Sequence, residues 1–136
     1  MDYTLTEEQE QLRKLVEEFA LRDVKPYWEK QGYGEFPWPL FRKMGELGLA
    51  AIPFPTQYGG GGLDYSSYAL VLEELTRLES HLGGVLAVHG LPQLIINHFG
   101  TDAQKQKYLP AMARAELLGA RAFDERSVRA RSNAGA

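Results

Sequence analysis

Apolar residues recur at helical spacing along most of the chain, and the breaks between the periodic stretches are marked by glycine and proline. The first stretch opens with Thr6 and Gln9, the two ends of a capping box, and with Glu7 and Glu8 at the positive end of the helix dipole. Leu12, Leu15, Val16 and Phe19 then fall on one face, with Arg13, Lys14, Glu17 and Glu18 on the other. Pro26 is expected to kink this helix or end it near Lys25, and Gly32 and Gly34 mark a definite stop. A second helix starts at Pro37 and Pro39, with Leu40, Phe41, Met44 and Leu47 as its buried stripe. Within it, Gly45 predicts a close backbone contact, and Gly48 a C-terminal stop.

The stretch 47–64 interrupts the helices. Pro53, Pro55 and four consecutive glycines, Gly59 to Gly62, cannot sit inside a regular helix without large cost. They predict an ordered apolar turn, ending at Asp64 as N-cap of a third helix over about 65–79. Tyr68, Leu72, Leu75 and Leu78 share a face of that helix, and Glu73, Glu74 and Arg77 lie largely off it. The fourth helix, about 81–99, is apolar at almost every position, so burial on all sides is expected, with bends at Gly90 and Pro92. Gly100 ends it. Thr101 and Gln104 form a second capping box for a fifth helix over about 102–115, which carries Tyr108, Leu109 and Met112 and a further kink at Pro110. The expected fold is all-α, a bundle of about five helices occupying residues 1–120, followed by an irregular tail at 121–136.

Composition changes this picture little. A chain of 136 residues with 44% apolar and 24% charged side chains can build one core and is not a disordered chain. A formal net charge of −3 offers no footprint for nucleic acid. Without cysteine there is neither a disulfide nor a thiolate metal site, which fits a reducing compartment. The N-terminus is not built like a signal peptide, and no apolar run is long enough to cross a membrane. A cytoplasmic protein is expected, or one of the mitochondrial matrix where a transit peptide has been removed.

Candidate chemistry is sparse. The glycine run lacks the Gly-Lys-Ser/Thr of a phosphate loop, and Asp64 stands where a dinucleotide fingerprint needs glycine, so a structural turn is the reading. His81, His89 and His98 are not one helical turn apart, which argues against a metal site. Adjacent Glu73 and Glu74 point in different directions and form no acid–base pair. No Gly-x-Ser-x-Gly elbow is present. By residue chemistry alone, the chain shows no catalytic centre.

Several segments, in order, resemble the N-terminal helical domain of the acyl-CoA dehydrogenase family, flavoproteins that desaturate acyl-CoA thioesters. They are LTEEQEQLRKLVEEFA, the long FPWPLFRKMGELGLAAIPFPTQYGGGGLDYSSYALVLEELTRLES, GGVLAVH and HFGTDAQKQKYLPAMARAELLGA. The most specific are Lys43-Met44-Gly45-Glu46-Leu47-Gly48-Leu49, and Phe99-Gly100-Thr101 with Gln104 to Lys107. The likeness spans about 5–120 and is nearest the short-chain, butyryl-CoA type. It departs from the family at Thr56, where glutamate is usual, and at Leu82, where the small-chain enzymes tend to have threonine.

The resemblance implies three domains: helical, β-barrel-like, then a helical bundle. FAD lies mainly between the last two, and the catalytic glutamate is in the last. No flavin site and no catalytic residue are therefore expected on this chain alone. The tail from Arg121 is a partial echo of the family's next motif and reads as a degraded start of the missing middle domain. The implied partners are acyl-CoA and electron-transferring flavoprotein, with self-association or the missing domains covering apolar surface. The resemblance places Leu82, Val85, Leu86 and His89 on a wall of the acyl pocket, whereas the apolar pattern alone reads all four as internal core. A stand-alone helical interaction module or an inactive fragment is the alternative.

Overall fold

The computed structural model describes residues 4–32 and 34–122. Within them, every regular element is helical: α1 (Glu7–Phe19), α2 (Lys25–Gln31), α3 (Trp38–Glu46), α4 (Tyr65–Leu78), α5 (Ser80–Phe99) and α6 (Asp102–Ala113). The expected all-α bundle is the fold, since α1 and α2 are one continuous rod and count as a single helix. The expected tail lies outside the described residues from 123 onward.

The rod passes Pro26 without ending because a π-helical turn, Ala20–Val24, precedes it. The Lys25 amide donates five residues back, to the Ala20 carbonyl. This shifts the ladder, so that Pro26 begins a fresh α-segment in its first turn, where proline's missing N–H costs nothing. Both capping boxes form as expected. Thr6 and Gln9 bond reciprocally, as do Thr101 and Gln104. Asp64 accepts the Ser67 amide at 2.7 Å. Pro92 and Pro110 both lie inside unbroken helices.

One main core is formed by Val16, Phe19 and Trp28 of the rod, Leu40, Phe41 and Met44 of α3, Val71 and Leu75 of α4, and the first half of α5. The rod packs on α4, α4 on α5, and α5 on α6. The buried line of α4 is Ser67, Val71 and Leu75, with Tyr68 and Leu72 flanking it, so the face is turned slightly from the expected one. The reason is that α4 is gripped by α1 on one side and α5 on the other.

The 47–64 turn is ordered. A 3₁₀ turn, Leu49–Ala51, packs on α3, α5 and α6, and a second, Thr56–Tyr58, packs on α6. All four glycine amides donate to backbone carbonyls: Gly59 to Thr56, Gly60 to Pro55, Gly61 to Ala51 and Gly62 to Phe54. A cradle for phosphate needs those amides free. Here they close the turn on itself. Gly59 and Gly62 take positive φ, at 82° and 65°.

Candidate functional site

Helix α5 has the residues that the resemblance assigns to a pocket, and Glu79 is its N-cap. The Glu79 carboxylate accepts the His81 amide at 3.0 Å and also meets the His81 ring. From there the helix has two unlike faces. Leu82, Gly83, Leu86, His89, Gly90 and Gln93 turn inward and are buried. Gly83 fits against Thr76, and Gly90 leaves room for the Tyr68 hydroxyl, which donates to the Leu86 carbonyl at 3.2 Å. The Gln93 amide donates to the Ala50 carbonyl at 2.9 Å and ties the 49–51 turn to the helix.

The opposite face is uncovered, which corrects the expectation of burial on all sides. Gly84 has no neighbour near its missing side chain, and Val88, Ile95 and Phe99 are 49%, 45% and 85% exposed. Positions 84, 88, 95 and 99 stack at helical spacing into one apolar stripe. Apolar character at every position predicts burial all round. In fact two buried sides meet α4 and α6, and the stripe faces outward. The expectation missed Val88 and Ile95 because hydropathy does not distinguish a core neighbour from an absent one.

The four residues expected on a pocket wall therefore separate. Leu82, Leu86 and His89 are fully buried in the domain's own core. Val85 is partly buried and opens on a cavity of about 380 Å³ that also touches Trp28, Phe36, Pro37 and His81. His89 is held at both ring nitrogens. The Gly119 amide donates to Nδ1 at 3.0 Å, and Nε2 lies 3.0 Å from the Met112 carbonyl. An amide can only donate, so Nδ1 carries the lone pair, and Nε2–H donates to Met112. Burial lowers the ring's affinity for a proton, opposed only by the bond to Met112. Phe41 meets the imidazole edge to face at 5.0 Å.

The other titratable candidates do not converge. Glu74 pairs with Arg77 at 2.7 Å, and Glu73 is exposed. Among the described residues, no group of three or more histidine, cysteine or acidic side chains is placed to hold a metal ion. No helix among them is long and apolar enough to cross a membrane.

A family profile described as acyl-CoA dehydrogenase, N-terminal domain, matches residues 6–116. The chain belongs to the acyl-CoA dehydrogenase family. It is 42% identical over 127 residues to the short-chain-specific acyl-CoA dehydrogenase of Clostridium acetobutylicum, covering 92% of this chain and 34% of that protein. Its fold superimposes on butyryl-CoA dehydrogenase from Megasphaera elsdenii with a TM-score of 0.78 at 31% identity, over 87% of this chain and 32% of that one. An acyl-CoA dehydrogenase from Bacillus anthracis complexed with FAD gives 0.74 at 35% identity, over 85% of this chain and 20% of that one. The chain thus spans about a third of the length of the curated family members it matches. The glycine-rich turn offers no cradle for a cofactor phosphate, because all four of its glycine amides are bonded internally.

Proposed function

We propose that this chain is the N-terminal third of an FAD-dependent oxidoreductase acting on the CH–CH bond of acyl-CoA thioesters, and that α5 supplies one wall of its acyl pocket. The observation that carries this reading is the uncovered apolar stripe of α5. A helix interior disfavours glycine by about 1 kcal/mol relative to alanine, yet Gly84 sits in α5 with open space before it. Bare backbone and exposed valine on a rigid helix suit close approach by something outside the domain. Val85 is the wall residue that reaches the surface, and Leu82, Leu86 and His89 form the layer that holds it in place. Electron-transferring flavoprotein is the proposed acceptor, and the cytoplasm the proposed compartment. The test joins this chain to the remaining two-thirds of the Clostridium acetobutylicum relative. A yellow chimera that oxidises butyryl-CoA supports the reading. A folded chimera that holds flavin and shows no turnover overturns it.

Two expectations follow for the isolated chain. It is expected to purify colourless, without flavin absorption, because the groups that would hold FAD belong to the rest of the protein. Stoichiometric flavin bound to the 136-residue chain would contradict this. The α5 stripe is also expected to drive self-association, since exposed contiguous apolar surface does so. Light scattering should show concentration-dependent mass, and Val88→Glu with Ile95→Lys should restore a monomer. A monomeric wild-type chain at high concentration that binds no hydrophobic dye would count against it.

A further inference from the structure

Beyond the last turn of α6, the backbone does not leave the domain freely. The Glu116 and Leu117 amides both donate to the Ala111 carbonyl, and Ala115 is buried in a left-handed conformation with φ of 54°. Ala115 and the Arg114 carbonyl rest against Gly45 of α3. Gly119 is buried where any side chain would overlap Pro92 and Met112, and its amide ends on His89 Nδ1. Pro92 lies one turn beyond Val88, so the segment crosses α5 at the margin of the uncovered stripe, carrying exposed Leu117 and Leu118 with it.

We propose that His89 is a latch: as a neutral imidazole in a single tautomer it pins Gly119 and fixes the course of residues 114–119, and a second proton on the ring releases them. Protonation places an N–H on Nδ1, facing the Gly119 N–H, and two donors cannot share that bond. The ring cannot keep both partners and the second proton. Among the described residues, nothing charged compensates it. Against the ring, α3 presents Phe41, α6 the Met112 carbonyl and the segment itself Gly119, while the Gln93 amide of α5 bonds the His89 backbone carbonyl and not the ring. The charged side chains of these elements reach solvent, none of them buried. Lys43 pairs with Glu46 and Arg114 with Glu116 at the surface, Arg42, Asp102 and Lys107 are exposed and Lys105 is half-buried, while His98 of α5 is exposed.

The direction follows from linkage. Burial lowers the proton affinity of His89 below that of a free histidine, so the latched state binds fewer protons than the opened one. The latch is fully engaged above the ordinary histidine range near pH 6.5 and weakens as pH falls below it. Between pH 7.5 and pH 5.0, the opened state gains by up to about 30-fold, the ratio set by an exposed imidazole of ordinary pKa against one that stays neutral.

The experiment is amide exchange of the 136-residue chain, corrected for intrinsic rates, in wild type and in His89→Gln. Glutamine keeps a donor and an acceptor but does not titrate. Protection of the Gly119 amide is expected at pH 7.5 in wild type, falling up to about 30-fold by pH 5.0, with no comparable fall in His89→Gln. Lack of protection at pH 7.5, a flat wild-type profile, or an equal fall in both proteins overturns the latch. Should His89→Gln fail to fold, ring ¹⁵N shifts of wild type decide. An Nε2–H tautomer that titrates together with the Gly119 amide supports the latch. An Nδ1–H tautomer, or a ring that protonates while the Gly119 amide stays protected, overturns it.

Discussion

Gly45→Ala is expected to destabilise the domain by about 3 kcal/mol, against the gain of about 1 kcal/mol that helix propensity assigns to the same change. A β-carbon at Gly45 would overlap the Arg114 carbonyl and crowd Ala115. Those are backbone and a buried side chain in a left-handed conformation, and neither can rotate away. α3 would have to withdraw from the α6 terminus, disturbing Phe41 and Met44, both fully buried. The control is Gly84→Ala. That glycine is also inside a helix, but nothing lies within 4 Å of the added carbon. The same substitution there should raise stability by about 1 kcal/mol. Thermal melts of the two variants separate the effects by opposite signs, at about 4 °C per kcal/mol for a domain of this size. If both variants move the same way, the close approach of α3 to Arg114 is not a real constraint on packing.

The two glycines show what the sequence does and does not disclose. Gly45 lies on the expected second helix, and close contact was legible from a glycine among helix formers. Its partner was not, because Arg114 is about seventy residues away and no local pattern links them. Caps were fully legible: Thr6–Gln9, Asp64 and Thr101–Gln104 act within one turn, so the signal and its partner lie in one window. Pro26 was half legible. Its missing N–H signals a break in the ladder, but a π turn repairs it without ending the rod, and the choice between a break and a repair depends on what Trp28 and Val24 pack against. The candidate site was the least legible part. Helix α5 is apolar on every face, so its pattern does not separate Leu82 and Leu86 in the core from Val88 and Ile95 at the surface. His89 belongs to the same problem: a histidine on an apolar helix is silent about Met112 and Gly119, the groups that hold it.

That separation sets the largest expected effect at the candidate site. Leu82→Ala should cost about 2–5 kcal/mol, because a fully buried leucine loses its contacts and leaves a cavity that packed neighbours close only in part. Val88→Ala should cost under about 1 kcal/mol, since half of the side chain is already in solvent and surface changes move stability little. In the chimera with the Clostridium acetobutylicum relative, the order should reverse for substrate choice. Val88→Trp fills space in front of the uncovered face and should lower kcat/KM on longer acyl-CoA relative to butyryl-CoA. Leu82→Ala acts from the layer behind and should shift the chain-length profile toward longer substrates only as far as Val85 settles into the space it leaves. Denaturant midpoints of the isolated chain and the ratio of kcat/KM values in the chimera measure the two halves separately. A Val88→Trp chimera with an unchanged profile would place the acyl chain away from α5, while an unaltered midpoint in Leu82→Ala would show that α5 is not packed on the core through that residue.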